Sequence, residues 1–375
     1  MTRRQRLLRI ALPLLAMAAL AVAVVLSAYD AGRTEMTRFR NALLAKAGSA
    51  GDFNWTPANV PADFEQEHAP VPTALAQWHS LAGKGDVLTR VLGIARALPR
   101  YGPSIEQEQG LAPPLEQEDS ARDGTALPRA LSIARTLSSK PRLGGQIAAS
   151  TLVTLSKIES TGTGYCVDYT KVFSALAYAA GIPVRQWSFS FDGFGGWGHT
   201  FNEFWDAEEQ RWLMIDVFEG FYPRDTKAGA PLSALEFRER LLTSPASIQW
   251  ERIAPPLFGF KDDATALQYF QRGVNEWYLS WGNITLGYDE QPLVVFASHF
   301  GRLPEQVAAV LTGAQPGIRV MLHDGNQVAF ARLMRLRYWL FGAAALELIL
   351  LLAFLRACFV KGGRACSRIS CPSAS

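Results

Sequence analysis

The 375-residue sequence predicts an α+β domain carried between two membrane-crossing helices, and three observations lead there. A long apolar run stands near each end of the chain. A helical periodicity starting at Cys166 gives way to period-two alternation, the pattern of one helix packed on an antiparallel sheet. Apolar residues make up 49% and charged residues 19%, which excludes a disordered or collagen-like chain. The formal charge is only +3, the basic residues gather near the two ends, and no basic-aromatic motif stands between them. Nucleic-acid binding therefore gets no support.

The first apolar run extends from Leu7 to about Ala28 with no charge after Arg9. It is long enough to cross a hydrocarbon core of ~30 Å at ~1.5 Å per residue. Arg3, Arg4, Arg6 and Arg9 precede it and orient the N-terminus toward the cytoplasm. A cleaved signal peptide is the competing reading. The run is long for one, and Leu26-Ser27-Ala28 is a poor small-x-small cleavage site. The second run, Tyr338 to Phe359, is apolar except for Glu347. Arg356, Lys361, Arg364 and Arg368 favour a cytoplasmic far end, although Arg332, Arg335 and Arg337 on the near side weaken that bias. Glu347 costs ~3 kcal/mol mid-membrane unless it is neutral or faces a partner, and a neutral carboxyl at a helix contact explains it better than transport. The expected setting is a bacterial inner membrane, with residues from about 30 to 335 on the periplasmic side.

Between the runs the elements are read in order. Residues 30–70 form a stalk of mixed polarity. Leu75 to Leu98 is helical, with Val87, Val91, Ile94, Ala95 and Leu98 recurring on one face. Tyr101 to Gly124, with Pro103, Pro113 and Pro114, is too polar for core and is a solvated excursion. Leu127 to Leu137 and Gln146 to Ile158 are two further helices, and Ser160 to Gly164 is a Gly/Thr-rich turn. The helix from Cys166 has Tyr169, Val172, Phe173, Leu176 and Ala180 as its apolar face, with Gly181 and Pro183 as its stop. Val184 to Phe191 alternates as a strand. Asp192 to Gly198 is a glycine-rich loop with no helix after it, so it is not a phosphate cradle and is expected to give flexible access to a cleft. His199 to Trp205 and Arg211 to Phe218 are strands joined through Asp206 to Glu209. Helices at Ala234 to Leu242, Thr265 to Trp277 and Leu303 to Leu311 follow, with Trp277, Tyr278 and Trp281 assigned to packing on the core or the membrane surface. The resulting division is 1–29 anchor, 30–70 stalk, 71–230 α+β domain, 231–335 helical extension and 336–375 second crossing with its tail.

Of four cysteines only Cys166 lies in the exported segment; Cys358, Cys366 and Cys371 fall in or after the second crossing. Structural cysteines in an oxidising compartment come in pairs, so a solitary one points to a reactive thiol, against the alternative of a buried inert side chain. Cys366 and Cys371 lack the second ligand pair of a zinc site. A nucleophilic thiolate is favoured at a helix N-terminus and needs a base held by an acceptor. If Trp205 pairs with Gln210, then His199 falls opposite Asp216 with β-carbons ~5 Å apart, beside the pairs Phe201–Met214 and Glu203–Trp212. A slip of one residue would put His199 and Asp216 on opposite faces. His79, His299 and His323 have no partner motif and are read as ordinary histidines.

Four blocks now stand in order: G-Y-C-V-D-Y at 164–169, A-L-A-Y-A-A-G-I-P-V-R at 175–185, G-H-T-F-N-E-F at 198–204 and R-W-L-M-I-D at 211–216. Together they resemble the core of the transglutaminase-like superfamily over about residues 130 to 220. The resemblance implies a papain-like α+β core with a Cys-His-Asp triad: Cys166 as nucleophile, His199 as acid and base, Asp216 as its orienter. Phe201 stands where the family often has Trp, and Val217 where Pro often follows the Asp, departures that touch substrate fit more than chemistry. Asp168 and Tyr169 are assigned to shaping the helix start. Glu203 and Trp212, on the triad face, are carried as candidate substrate contacts beside a structural role for the first and a packing role for the second. No acidic cluster resembles a calcium site, so neither metal nor cofactor is expected. The implied activity is acyl transfer or hydrolysis at amide bonds of a protein or peptide. The alternative is a non-catalytic binding module in an envelope or polysaccharide-export assembly.

Overall fold

The computed structural model describes residues 11–20, 32–61, 126–145, 147, 151–253, 260–281, 288, 291–315 and 317–365. The helix expected at Leu75 to Leu98 and the excursion at Tyr101 to Gly124 lie outside the described residues. A short apolar helix α1 (Ala11–Leu20) is followed by α2 (Gly32–Leu44) and strand β1 (Ala45–Ala47). Helices α3 (Ala126–Leu137), α4 (Thr151–Thr161) and α5 (Cys166–Ala179) precede strands β2 (Val184–Ser190), β3 (Gly198–Asp206), β4 (Arg211–Ile215) and β5 (Phe221–Asp225). Then come α6 (Ala234–Thr243), β6 (Ile248–Arg252), α7 (Asp263–Gly273), β7 (Trp277–Trp281), α8 (Pro292–Ser298), α9 (Arg302–Leu311), β8 (Ile318–Val320) and α10 (Gln327–Ala365).

One six-stranded sheet runs in the order β1-β8-β7-β2-β3-β4, antiparallel except for the parallel pair β1–β8; β5 and β6 form a separate antiparallel pair. Two expectations change here. The segment 30–70, read as a stalk, supplies α2 and the edge strand β1. The segment 231–335, read as a helical extension, supplies β7 and β8 to the central sheet. The expected helix through Trp277 ends at Gly273 because Trp277 and Leu279 alternate into the core, with β7 covering the free hydrogen-bonding edge of β2.

Each face of the sheet buries its own core. Val184, Phe204, Leu213 and Ile215 point toward α3, α4 and α5, where Ile133, Leu155, Phe173 and Leu176 meet them. Trp187, Phe189, Phe201, Trp212, Met214 and Trp277 point the other way, against Phe237 of α6, Phe270 of α7 and Phe53 and Trp55 from the N-terminal segment. At ~1.5–3 kcal/mol for each large side chain removed from water, these two layers dominate the stabilisation.

The glycine-rich loop is not a flexible gate. Phe194, at φ 65°, is fully buried against Ala42, Ile318, Val320 and Leu333. Asn41 Nδ2 donates to the Phe194 carbonyl at 2.9 Å, and the Gly193 and Phe194 amides donate to Glu276 Oε2 at 2.7 and 3.2 Å. An aromatic anchor and three hydrogen bonds hold a backbone whose composition alone reads as loose.

Within α10, the 30-residue stretch Gln327–Arg356 is long and apolar enough to cross a membrane, with an 18-residue window of mean hydropathy 2.1. Helix α1 is shorter than a crossing, and the residues flanking it lie outside the described ones.

Candidate active site

Helix α5 begins at Cys166 for local reasons. Gly162 has φ +71°, and a Cβ there would lie 1.9 Å from the Pro141 carbonyl oxygen, so the turn before the helix requires glycine. Asp168, in the first turn, accepts the Tyr165 amide at 2.9 Å and the Ile147 amide at 3.4 Å. Its carboxylate also complements the positive end of the helix. Gly181, at φ +73°, closes the other end, with its amide on the Tyr178 carbonyl and the Ile182 amide on the Ala177 carbonyl. The helix is then set against the sheet by polar contacts. Thr170 Oγ1 donates to the Thr200 carbonyl at 3.1 Å, and Asn202 Nδ2 donates to Ser174 Oγ at 2.9 Å. These bonds fix the height of Cys166 beside β3.

The β3–β4 register differs from the expected one by two residues. Asp206 pairs with Arg211, Trp205 with Trp212 and Glu203 with Met214. Asp206 Oδ1 accepts the Glu208 and Glu209 amides at 3.0 and 3.2 Å, and Gln210 takes a φ of 51°. The turn therefore occupies 207–210, one position later than the composition implied. An even shift preserves parity, so His199 and Asp216 still share a face although they are not opposed. Asp216 leaves β4 and bridges Phe221, and the contact to His199 is diagonal.

His199 Nε2 meets Asp216 Oδ2 at 2.5 Å, with both side chains buried. The other carboxylate oxygen accepts the Glu219 amide at 2.8 Å, which locks the Asp216 rotamer. With Nε2 engaged, Nδ1 is the nitrogen left for Cys166, which stands close enough to act on the charge of the imidazole. The cysteine is half-buried at the start of α5. Burial, the largest single influence, pushes the His199 imidazole down; the charge of the Asp216 carboxylate, Tyr269, the hydrogen bond that Asp216 accepts and the nearby Cys166 outweigh it, and the imidazole is held well above its usual range.

An aromatic shell surrounds the pair. The rings of Phe189, Phe201, Phe218, Tyr269 and Phe270 lie 5.6 to 6.2 Å from the His199 ring, centre to centre. Tyr269 meets His199 edge to face at 5.6 Å, and burial pushes its phenol up to about 12, so the hydroxyl keeps its proton. Helix α7 carries it and starts where Asp262 Oδ1 accepts the Thr265 amide at 2.7 Å. Glu219 lies beside the same pair, bonded to Arg142 at 3.2 Å; burial and the Asp216 charge raise its carboxyl, opposed by His199 and Arg142. Phe218, Glu219, Tyr269 and Arg142 were not foreseen. The D-V-F-E-G turn after β4 was a usable signal for the first two, whereas Tyr269 belongs to a distant helix with no motif.

Glu203 and Trp212 do not reach this site, which corrects the expectation that they touch substrate. Glu203 is fully buried: Oε2 accepts Arg185 Nε and Trp187 Nε1, both at 2.6 Å, and Oε1 accepts the Ala234 amide at 2.8 Å. Trp212 stacks beneath the Arg185 guanidinium, 4.2 Å from the ring centre, and donates from Nε1 to the Trp55 carbonyl at 2.7 Å. Both share the His199 face by parity, but they stand further along the strands, where the N-terminal segment covers them.

A helix with cysteine at its start is packed on a mostly antiparallel sheet that carries a buried histidine–aspartate pair. Residues 123–217 match the family model described as the transglutaminase-like superfamily, so the chain carries a transglutaminase-like domain over that stretch. No curated protein and no solved structure is similar enough to match the chain.

Proposed function

We propose that the protein is a membrane-anchored thiol enzyme acting on amide bonds of a protein or peptide. The observation that carries the reading is the buried His199–Asp216 pair at 2.5 Å, with Cys166 at the start of α5 close enough to act on the same imidazole. The Cys166 thiol passes its proton to His199 Nδ1, and Asp216 stabilises the imidazolium that results. The thiolate adds to the amide carbonyl carbon, and the oxyanion is met by the Cys166 backbone N–H at the open end of α5. The Tyr269 hydroxyl, held protonated beside the imidazole, is the side-chain donor we assign to the same oxyanion. The C–N bond then breaks, the amine leaves with the proton from His199, and a thioester remains on Cys166. Water or a second amine attacks that thioester, giving its proton to His199. The products are an acid or a new amide, and the thiol is restored.

The anchor is α10, with the N-terminal apolar run as a second crossing; Arg3, Arg4, Arg6 and Arg9 favour a cytoplasmic start and an extracytoplasmic domain. The test is alkylation of the full-length protein by iodoacetamide with peptide mapping, beside turnover of a thioester-forming amide substrate with and without added amine. Rapid modification at Cys166 and loss of turnover in Cys166→Ala are the expected results. Undiminished turnover in that variant refutes the enzyme and leaves the binding-module reading.

A further inference from the structure

We propose that the α8–α9 hairpin is a lipid-facing element lying in the bilayer interface beside α10. The proposal rests on the reading of α10 as a membrane span.

The hairpin is amphipathic in the wrong sense for water. Helix α9 buries Glu305 and Gln306, 9% and 7% exposed, and turns Leu311 outward at 75% with Val307 beside it. Helix α8 turns Leu293, Val295 and Phe296 outward, the last at 62%, and Phe300, 67% exposed, stands in the turn that follows it. Between the helices lies a thin core of Val294, Ala297, Ala308, Ala309 and Ala314. The buried polar groups are satisfied internally. Tyr288 OH donates to Glu305 Oε1 at 2.5 Å, Gln306 Nε2 donates to the Tyr288 oxygen at 2.8 Å, and Arg40 Nη1 donates to Gln306 Oε1 at 3.2 Å. A water-facing helix carries its polar stripe outside. Six large apolar side chains stand outward between residues 293 and 311, with the Phe296 and Phe300 rings 5.2 Å apart, an exposure of the kind that marks a membrane or partner surface.

The connections of the hairpin favour the bilayer as the occupant. Helix α9 packs on α2, and α2 packs on α10. At the second of these contacts Arg337 Nε donates to the Ala42 carbonyl at 2.5 Å, and its Nη2 donates to the Ala45 carbonyl. Arg337 is followed at once by Tyr338 and Trp339, both strongly exposed, where amphipathic rings mark the headgroup level. Arg40, the residue that holds Gln306, lies only ~3 Å along the α2 axis from Ala42. The hairpin is thereby tied to α2 at about the depth where α10 would enter the hydrocarbon. The exposed Arg332 and Arg335 on the adjoining turns of α10 add positive charge toward anionic headgroups. An apolar face with basic neighbours, level with the headgroups, has the make-up of an interfacial helix.

The experiment uses the full-length protein in liposomes of phosphatidylethanolamine and phosphatidylglycerol that carry a phospholipid with a diazirine in its acyl chain. After irradiation, lipid adducts are mapped by mass spectrometry. Adducts on peptides covering both 291–311 and 338–356 are expected. In Phe296→Asp/Phe300→Asp, adducts on 291–311 should fall at least ~10-fold while those on 338–356 persist, because only the hairpin has lost its apolar anchors. Adducts on 338–356 with 291–311 bare overturn the proposal, leave the membrane span intact and assign the patch to another part of this chain or to a second protein. An absence of adducts on both segments overturns the span itself and the proposal with it. Undiminished labelling of 291–311 in the double variant also overturns it.

Discussion

Replacing Asp216 with Asn keeps the shape of the site and removes one charge, so it isolates what that carboxylate does. In the wild type the imidazole is fully enclosed, and burial alone would drive it toward the neutral form. The opposing term is the carboxylate at 2.5 Å. With charge centres ~4 Å apart and an effective dielectric of ~20, the attraction is about 4 kcal/mol, or about 3 pK units. Without it burial wins, and the imidazole drops from well above its usual range to below it. The thiol loses its cationic partner, and its alkylation rate at neutral pH should fall by roughly 100- to 1,000-fold. The assay is the iodoacetamide rate at Cys166 between pH 4 and 9. Asp216→Asn should react more slowly than the wild type throughout that range, with the gap widest where the wild-type imidazole is still charged. The sign also fixes a stability window. The folded-state pKa of His199 is raised, so its contribution is fully present below about pH 6.5 and is lost as pH rises through the folded value. The melting temperature of the wild type should fall over that upper range, and the Asn variant should lack the component. Identical alkylation profiles in the two proteins would refute the coupling between the three groups.

Three further outcomes follow from the same geometry. Tyr269→Phe should lower amide turnover ~100-fold, as loss of one oxyanion donor does, while Cys166 alkylation stays near wild type; equal losses in both assays would mean that the ring only packs. Glu203→Gln should cost ~3–5 kcal/mol in a denaturant titration, because it strands Arg185 as a buried cation, and unchanged stability would contradict the clamp described for Glu203. Phe194→Ala should destabilise by ~3–5 kcal/mol and raise hydrogen exchange at 192–198, whereas a silent variant would restore the mobile-loop reading.

Much of the candidate site was legible because its determinants are local. The helix expected from Cys166 is observed as Cys166–Ala179, bounded by the glycines that its sequence offers as start and stop. Parity between His199 and Asp216 survived a mistaken register because the error was two residues, the side-chain period of a strand. The error came from Asp206, whose side chain caps the turn that follows it, a choice between neighbouring turn positions that composition does not rank. Glu203 and Trp212 were misjudged for a different reason. A shared face says nothing about what covers each end of that face, and the Phe53–Trp55 segment covering this one comes from far away in the chain.

Read by itself, the chain determined the order of Cys166, His199 and Asp216, the boundaries of the helix that begins at the cysteine and the face on which the histidine and aspartate meet. Those depend on glycine placement and on periodicity, which act over a few residues. Folding in three dimensions decided the rest: the strands that the late segment adds to the sheet, the anchoring of the glycine-rich loop by Phe194 and the arrival of Tyr269 beside the imidazole. Each of these joins segments remote in sequence through burial, and burial is a property of the assembled layers that no short window of residues contains.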